Sequence, residues 1–413
     1  MSCQSAQSLP IEIIGIDSAR EFEAEGITNL HPQLLNADRI YCGKRIFNIL
    51  RCLPQLREHL CRIVGNIDCL GREVADLQEQ GARIIVLADG DPMLFGIGAT
   101  LARYARNLSV CPAVSAMQQA CAHEQLAWHN LACVSLHGRD DLLPLYNAIR
   151  RNCPVCIYTD PVHTPAWLAR HLVDRGVNGY SVCIHENMGS PKARIDRLSL
   201  SECADFEGAG NITMLLKPEK RPVFGHIGLC EKNFLGSYAT KKPVRGTILE
   251  LLELHSDSIC WDIGSGSGIL AIEMGSIAWQ GQIFAIERKS ERCLDIQENR
   301  ARAAAINVEI GMGQAPQCLL SLPDPDRVFV GGGLSDAGGE EILNACLARL
   351  KPGGKLVAAA LLLATVQLCR SVFAACGWPF EIYQIQASKN AALGQDVYMA
   401  PMNPVYLFGV QKP

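Results

Sequence analysis

Trp261-Asp262-Ile263-Gly264-Ser265-Gly266-Ser267-Gly268 joins an apolar run, Ile259–Ile263, to a helical stretch that begins at Ile269. Glycines at this junction let the backbone turn sharply from strand to helix and approach a ligand that side chains would hold off. A dinucleotide fingerprint needs glycine at 269, where Ile269 stands; the spacing is instead G-x-G-x-G with an acid ahead of it. Nineteen residues past Gly268 the next apolar run, Gln282–Ile286, ends in Glu287, whose carboxylate can accept hydrogen bonds from two ribose hydroxyls. Either element alone is an ordinary turn or an ordinary surface acid. Together they predict a nucleoside-type site built from Asp262, Gly264, Gly266, Gly268 and Glu287.

This layout resembles a class I S-adenosylmethionine (SAM) methyltransferase. At the next strand end, where that class often carries an acid beside the adenine, the chain reads Gly313-Gln314-Ala315-Pro316, so Gln314 and Ala315 are the expected contacts. The fourth strand ends in Gly331-Gly332-Gly333, without the Asn/Asp-Pro-Pro-aromatic motif of enzymes that methylate base amines. Such an end favours a substrate that brings its own nucleophile. Ala239 to Arg245 (Ala-Thr-Lys-Lys-Pro-Val-Arg), the glycine loop, Ala285-Ile286-Glu287-Arg288, Gln314-Ala315-Pro316, the Gly331–Gly333 strand end and Leu350-Lys351-Pro352-Gly353-Gly354 resemble, in order, the decarboxylating precorrin methyltransferases of cobalamin biosynthesis over about 224–410. Lys241 and Arg245, with Lys242, are then expected to grip substrate carboxylates.

The first half carries Asp89-Gly90-Asp91-Pro92 after a strand, Cys111-Pro112-Ala113-Val114-Ser115 and Leu136-His137-Gly138-Arg139. Gly-Asp-Pro alone is a common turn. In this company it resembles the tetrapyrrole methylases, two-lobed α/β enzymes that also use SAM, and within them the subfamily that methylates C5 of a late corrin precursor. The resemblance implies SAM contacts at Gly15, Gly90, Asp91, Pro92 and Ser115, and substrate contacts at His137 and Arg139. The glycine-rich first loop of that family is reduced here to Ile14-Gly15-Ile16-Asp17-Ser18-Ala19.

The 413 residues suffice for two or three domains at roughly 100–200 residues each. With 48% hydrophobic and 19% charged residues, disorder is excluded as the main theme. Apolar β-branched runs alternate with helical stretches, so the sheets are expected to be largely parallel. Two prolines and four charges in 217–222 mark the boundary: a tetrapyrrole methylase domain over 8–217, a linker over 218–223 and a Rossmann-like SAM methyltransferase domain over 224–413. The net charge of −4 argues against nucleic acid as partner. Nineteen scattered cysteines with a single C-x-x-C suit buried thiols in a reducing compartment better than a metal site, and no metal is expected. No signal peptide or membrane-length apolar run appears, so a cytoplasmic protein without a membrane partner is expected, and a homo-oligomer.

The order of the halves is that of the fused precorrin-6Y C5,15-methyltransferase family. It implies two SAM sites per chain, methylation of C5 and C15, and loss of carbon dioxide from the C12 acetate of precorrin-6B or its cobalt form. Two alternatives stay open: a single-activity methyltransferase with a non-catalytic first half, and an RNA methyltransferase.

Overall fold

The computed structural model describes residues 9–16, 33–51, 53–56, 58–62, 66–188, 192–208, 212–236 and 238–413. Asp17, Ser18 and Ala19 of the first loop lie outside the described residues. The first lobe is a sheet of five parallel strands in the order β3-β2-β4-β1-β5: β1 (Ile11–Ile16), β2 (Arg39–Cys42), β3 (Leu60–Arg62), β4 (Ile84–Asp89) and β5 (Leu108–Cys111). Its central strands read as nearly continuous apolar runs because both faces are covered.

The second lobe contains β6 (Ala132–Ser135), β7 (Val155–Tyr158), β8 (Tyr180–Glu186), β9 (Arg194–Ser199) and β10 (Ile212–Pro218), ordered β6-β7-β10-β8-β9. Only β6 and β7 run parallel here; β10 returns antiparallel between β7 and β8, and β9 pairs back on β8. The expected parallel sheet therefore gives way to a mixed one in this lobe. The β8–β10 segment lacks the long helical crossovers that parallel pairing requires.

The last half is a sheet ordered β13-β12-β11-β14-β15-β19-β16. Its strands are β11 (Ile259–Ile263), β12 (Gln282–Glu287), β13 (Val308–Met312), β14 (Arg327–Val330), β15 (Lys355–Ala360), β16 (Phe380–Ile385) and β19 (Val405–Gln411), with the hairpin β17 (Ser388–Leu393) and β18 (Asp396–Pro401) beside it. The first five strands are parallel and bury their core on both faces: Trp261, Val328 and Leu356 on one, Cys260, Phe329 and Val357 on the other. No helix among the described residues is long and apolar enough to cross a membrane.

Between the halves, Pro218 still belongs to β10, and the Glu219 and Lys220 N–H groups donate to the Gly179 carbonyl at 2.8 and 3.0 Å. The chain expected as a free linker is thus tied to the second lobe. Arg175 crosses to the last half, donating twice to Glu309 at 2.7 Å and once to the Ile306 carbonyl at 3.2 Å. Ile306 is fully buried among residues of the second lobe. Gly176 has φ +78°, and a Cβ there would run into the Ala301 carbonyl, so only glycine lets the two backbones meet. Arg175→Ala should destabilise the full chain by about 2–3 kcal/mol, below the usual loss for a fully buried pair because Glu309 keeps some solvent contact. Urea denaturation of the variant and the parent checks this.

Candidate active sites

The carboxyl edge of the last sheet opens into a cleft of about 820 Å³, lined among others by Gly264, Gly266, Glu287, Gln314, Ala315 and Gly331–Gly333. The floor is backbone. Gly264 has φ +75°, and a Cβ there would lie 2.6 Å from the nitrogen of Gly332, so the ends of β11 and β14 touch without side chains between them. The rim is contributed by Tyr238, Arg288, Arg292 and Asp336.

Glu287 ends β12 with only 3% of its surface exposed. One carboxylate oxygen accepts from the N–H of Arg288 (3.0 Å) and Lys289 (3.1 Å), the other from the N–H of Gly266 (3.1 Å). The glycine loop and the acid read separately in the sequence are therefore one hydrogen-bonded unit. A carboxylate so held has lone pairs left for further donors from the cleft, as a ribose diol would supply. The Arg292 guanidinium lies 3.7 Å from Glu287 and stacks over the Tyr238 ring at 3.8 Å. Arg288 donates to Asp336 at 2.6 Å across the mouth. Tyr238, Arg292 and Asp336 escaped the sequence reading, since Tyr238 meets Arg292 only through the fold.

Five expected residues lie elsewhere. Asp262 is 1% exposed, does not line the cleft, and accepts from the Ser265 hydroxyl at 2.6 Å; it holds the loop from beneath. Gly268, with φ +76°, begins the helix Ile269–Ile277 against Ile296. Arg245 corrects the expectation most plainly. It is 1% exposed, and its guanidinium donates to Glu273, Glu231 and the carbonyls of Thr240 and Leu229 at 2.6–3.1 Å. With its donors occupied inside the protein it cannot reach a substrate carboxylate; it ties the segment before the sheet to the helix Ile269–Ile277. Lys241 and Lys242 are exposed at the start of the helix Lys242–Leu252 and do not line the cleft.

The first half has its own cleft, of about 1020 Å³, between its two lobes; in chain order it is the first cleft, and the one at the last sheet the second. Gly90, Asp91 and Ser115 come from the first lobe, and His137, Tyr158 and Thr213 from the second. Asp91 accepts from the Met93 N–H at 2.8 Å, and Ser115 caps the helix Ala116–His123 through a reciprocal bond with Gln118. Their side chains thus build the turn and the cap at the edge of the cleft. Pro92 is buried behind them. Gly15 does not line the cleft; a Cβ on it would run into the Gly90 carbonyl, so it lets β1 and the Gly90 turn close up. Arg139 lies over the ring of Phe95, itself a lining residue, at 5.4 Å.

Burial pushes the Asp262 carboxyl from its ordinary 3.8 up to about 7; the Ser265 bond pulls it down and the charge of Glu287 raises it again. Between those values the unfolded chain ionises Asp262 while the fold keeps it protonated. Its stabilising contribution is complete below about pH 4 and is lost as pH rises to about 7. Asp262→Asn should therefore gain stability relative to the parent across that window, read as diverging melting temperatures between about pH 4 and pH 8. Parallel curves would refute the assignment.

A family model described as a precorrin methyltransferase domain matches residues 236–412, and one described as tetrapyrrole (corrin/porphyrin) methylases matches residues 34–204. A precorrin-6Y C(5,15)-methyltransferase [decarboxylating] from Sinorhizobium sp is 31% identical over 311 residues, covering 71% of this chain and 72% of that protein. One of the same description from Mycobacterium tuberculosis is 29% identical over 354 residues, 82% of this chain and 85% of that protein. A cobalt-precorrin-6B C(15)-methyltransferase (decarboxylating) from Salmonella typhimurium is 34% identical over 176 residues, 42% of this chain and 88% of that protein. With a cleft in each of the corresponding halves, the chain belongs to the family of decarboxylating precorrin-6Y C(5,15)-methyltransferases.

Proposed function

We propose that this chain transfers two methyl groups from SAM to carbons C5 and C15 of a late corrin precursor, precorrin-6B or its cobalt form, and releases the C12 acetate carboxyl as carbon dioxide. The observation that carries the reading is the Glu287 carboxylate, fixed by three backbone N–H groups beside a floor of bare glycines. Residues 224–413 take the C15 methylation and decarboxylation, residues 8–217 the C5 methylation, with 218–223 between them. The reading includes two SAM sites per chain, a homo-oligomer and a cytoplasmic location.

SAM, when bound, supplies an electrophilic methyl group on a sulfonium. The protein's part is to hold and to exclude. Glu287 would take the ribose hydroxyls, while Gln314 and Ala315 would flank the adenine. Gly264 and Gly266 admit the rest of the ligand against backbone, and Ile263, Ile286 and Ile342 keep water from the walls. The Gly331–Gly333 strand end presents no side-chain base, which suits an electron-rich ring carbon that attacks unaided once aligned. In the decarboxylation the carbon–carbon bond breaks and its electron pair passes into a protonated ring imine of the macrocycle. Lys241 and Lys242, exposed beyond the cleft lining, would attract its carboxylates, and His137 and Arg139 would do so at the first cleft.

Incubating the full chain with cobalt-precorrin-6B or precorrin-6B and methyl-labelled SAM should give a product that has gained two labelled methyls and lost one carbon dioxide by mass spectrometry. A product with one methyl and no decarboxylation would overturn the assignment of the last half. Glu287→Ala should weaken S-adenosylhomocysteine binding at one site by about 1.5–3 kcal/mol, the loss of charged hydrogen bonds. Calorimetry should count two sites per chain in the parent and one tight site in the variant.

A further inference from the structure

Leu361, Leu362 and Leu363 are consecutive and 58%, 59% and 79% exposed. Exposed runs of this kind are unfavourable in water and are rarely kept without a partner. They stand at the carboxyl end of β15, where the strand passes into the helix Leu363–Cys376. Strand β14 pairs with β15 in parallel, Val330 opposite Ala358; β14 ends there and runs on as Gly331–Gly333, while β15 continues beside it through Ala359 and Ala360 to Leu361. The leucines thus continue the glycine floor of the second cleft outward.

The cleft is lined from the ends of β11, β12, β13 and β14, and no lining residue comes from β15. Over the loop after β11 the approach is covered by Tyr238, whose carbonyl lies against Gly266. A substrate that must bring a carbon to the methyl donor has the β14–β15 side left. From Leu356 to Leu368 the chain carries no charged residue, so this side does not suit carboxylates. It suits the apolar face of a large ring whose carboxylates project from its rim.

We infer that Leu361, Leu362 and Leu363 form the platform on which the face of the macrocycle rests during reaction in the second cleft. This rests on the function proposed above. It assigns specificity to residues that touch neither the cofactor side of the cleft nor the glycine loop.

The test uses the full chain with cobalt-precorrin-6B as substrate. Leu362→Ser/Leu363→Ser should raise KM for C15 methylation about tenfold or more, as expected for lost apolar burial, with kcat changed by less than about twofold. S-adenosylhomocysteine affinity and sedimentation mass should match the parent. Leu362→Met/Leu363→Met, which keeps the surface apolar, should restore KM; it also serves as the folding control. An unchanged KM in the serine variant overturns the platform, and so does a change in sedimentation mass, which would assign the leucines to contact between copies of the chain. If the parent itself fails to turn over or bind the substrate, the proposed function fails instead, and the two failures are distinct.

Discussion

The ends of β11 and β14 must meet without side chains, and much of the second site follows from that constraint. A Cβ on Gly264 would strike Gly332, so the contact demands glycine on a backbone with positive φ. Once the two strand ends touch, the loop after β11 turns toward β12 and brings the Gly266 N–H to Glu287. The carboxylate then has three backbone donors holding it, which fixes its direction without any neighbouring cation being required. Asp262 supports the same loop from the other side, buried and bonded to Ser265, so its protonation state is coupled to the loop it carries.

A second set of charges works out of reach of solvent. Arg245 and Glu273 are each 1% exposed, and Glu273 also accepts the Leu229 N–H at 2.8 Å. A buried ion pair adds little net stability, because desolvation offsets the attraction. It does define geometry: breaking either partner strands the other. Here it locks residues 229–231 and the start of the helix Lys242–Leu252 to the helix Ile269–Ile277, the helix that follows the glycine loop. The Tyr238 lip lies within the segment so anchored.

The contact between the halves reaches the same site from another direction. Glu309 lies on β13, which ends just before Gly313, Gln314 and Ala315 of the cleft wall. By gripping Glu309 and enclosing Ile306, the second lobe of the first half holds the base of that strand. Two domains with separate clefts thus share one supporting element, although the polar, proline-containing stretch between them reads as a simple connector.

Both glycine loops, the strand ends that carry them, the acid at 287 and the two-domain order were legible in the sequence, because each depends on local rules: a tight turn needs glycine, a buried parallel strand needs a continuous apolar run, and proline ends a strand. The mixed order of the second lobe was not, since pairing of β10 between β7 and β8 is a long-range choice among similar apolar runs. Arg245 shows the limit most clearly. Its neighbours Lys241 and Lys242 are exposed while it is buried, and nothing in the chemistry of an arginine says whether its partners will be a ligand or the protein's own acids. Glu231 and Glu273 lie 14 and 28 residues away, and only the folded chain brings them to it. Sequence determined which residue types a nucleoside site requires and where the backbone had to turn; tertiary structure decided which charges face the cleft, because burial and partnership are properties of distance in space.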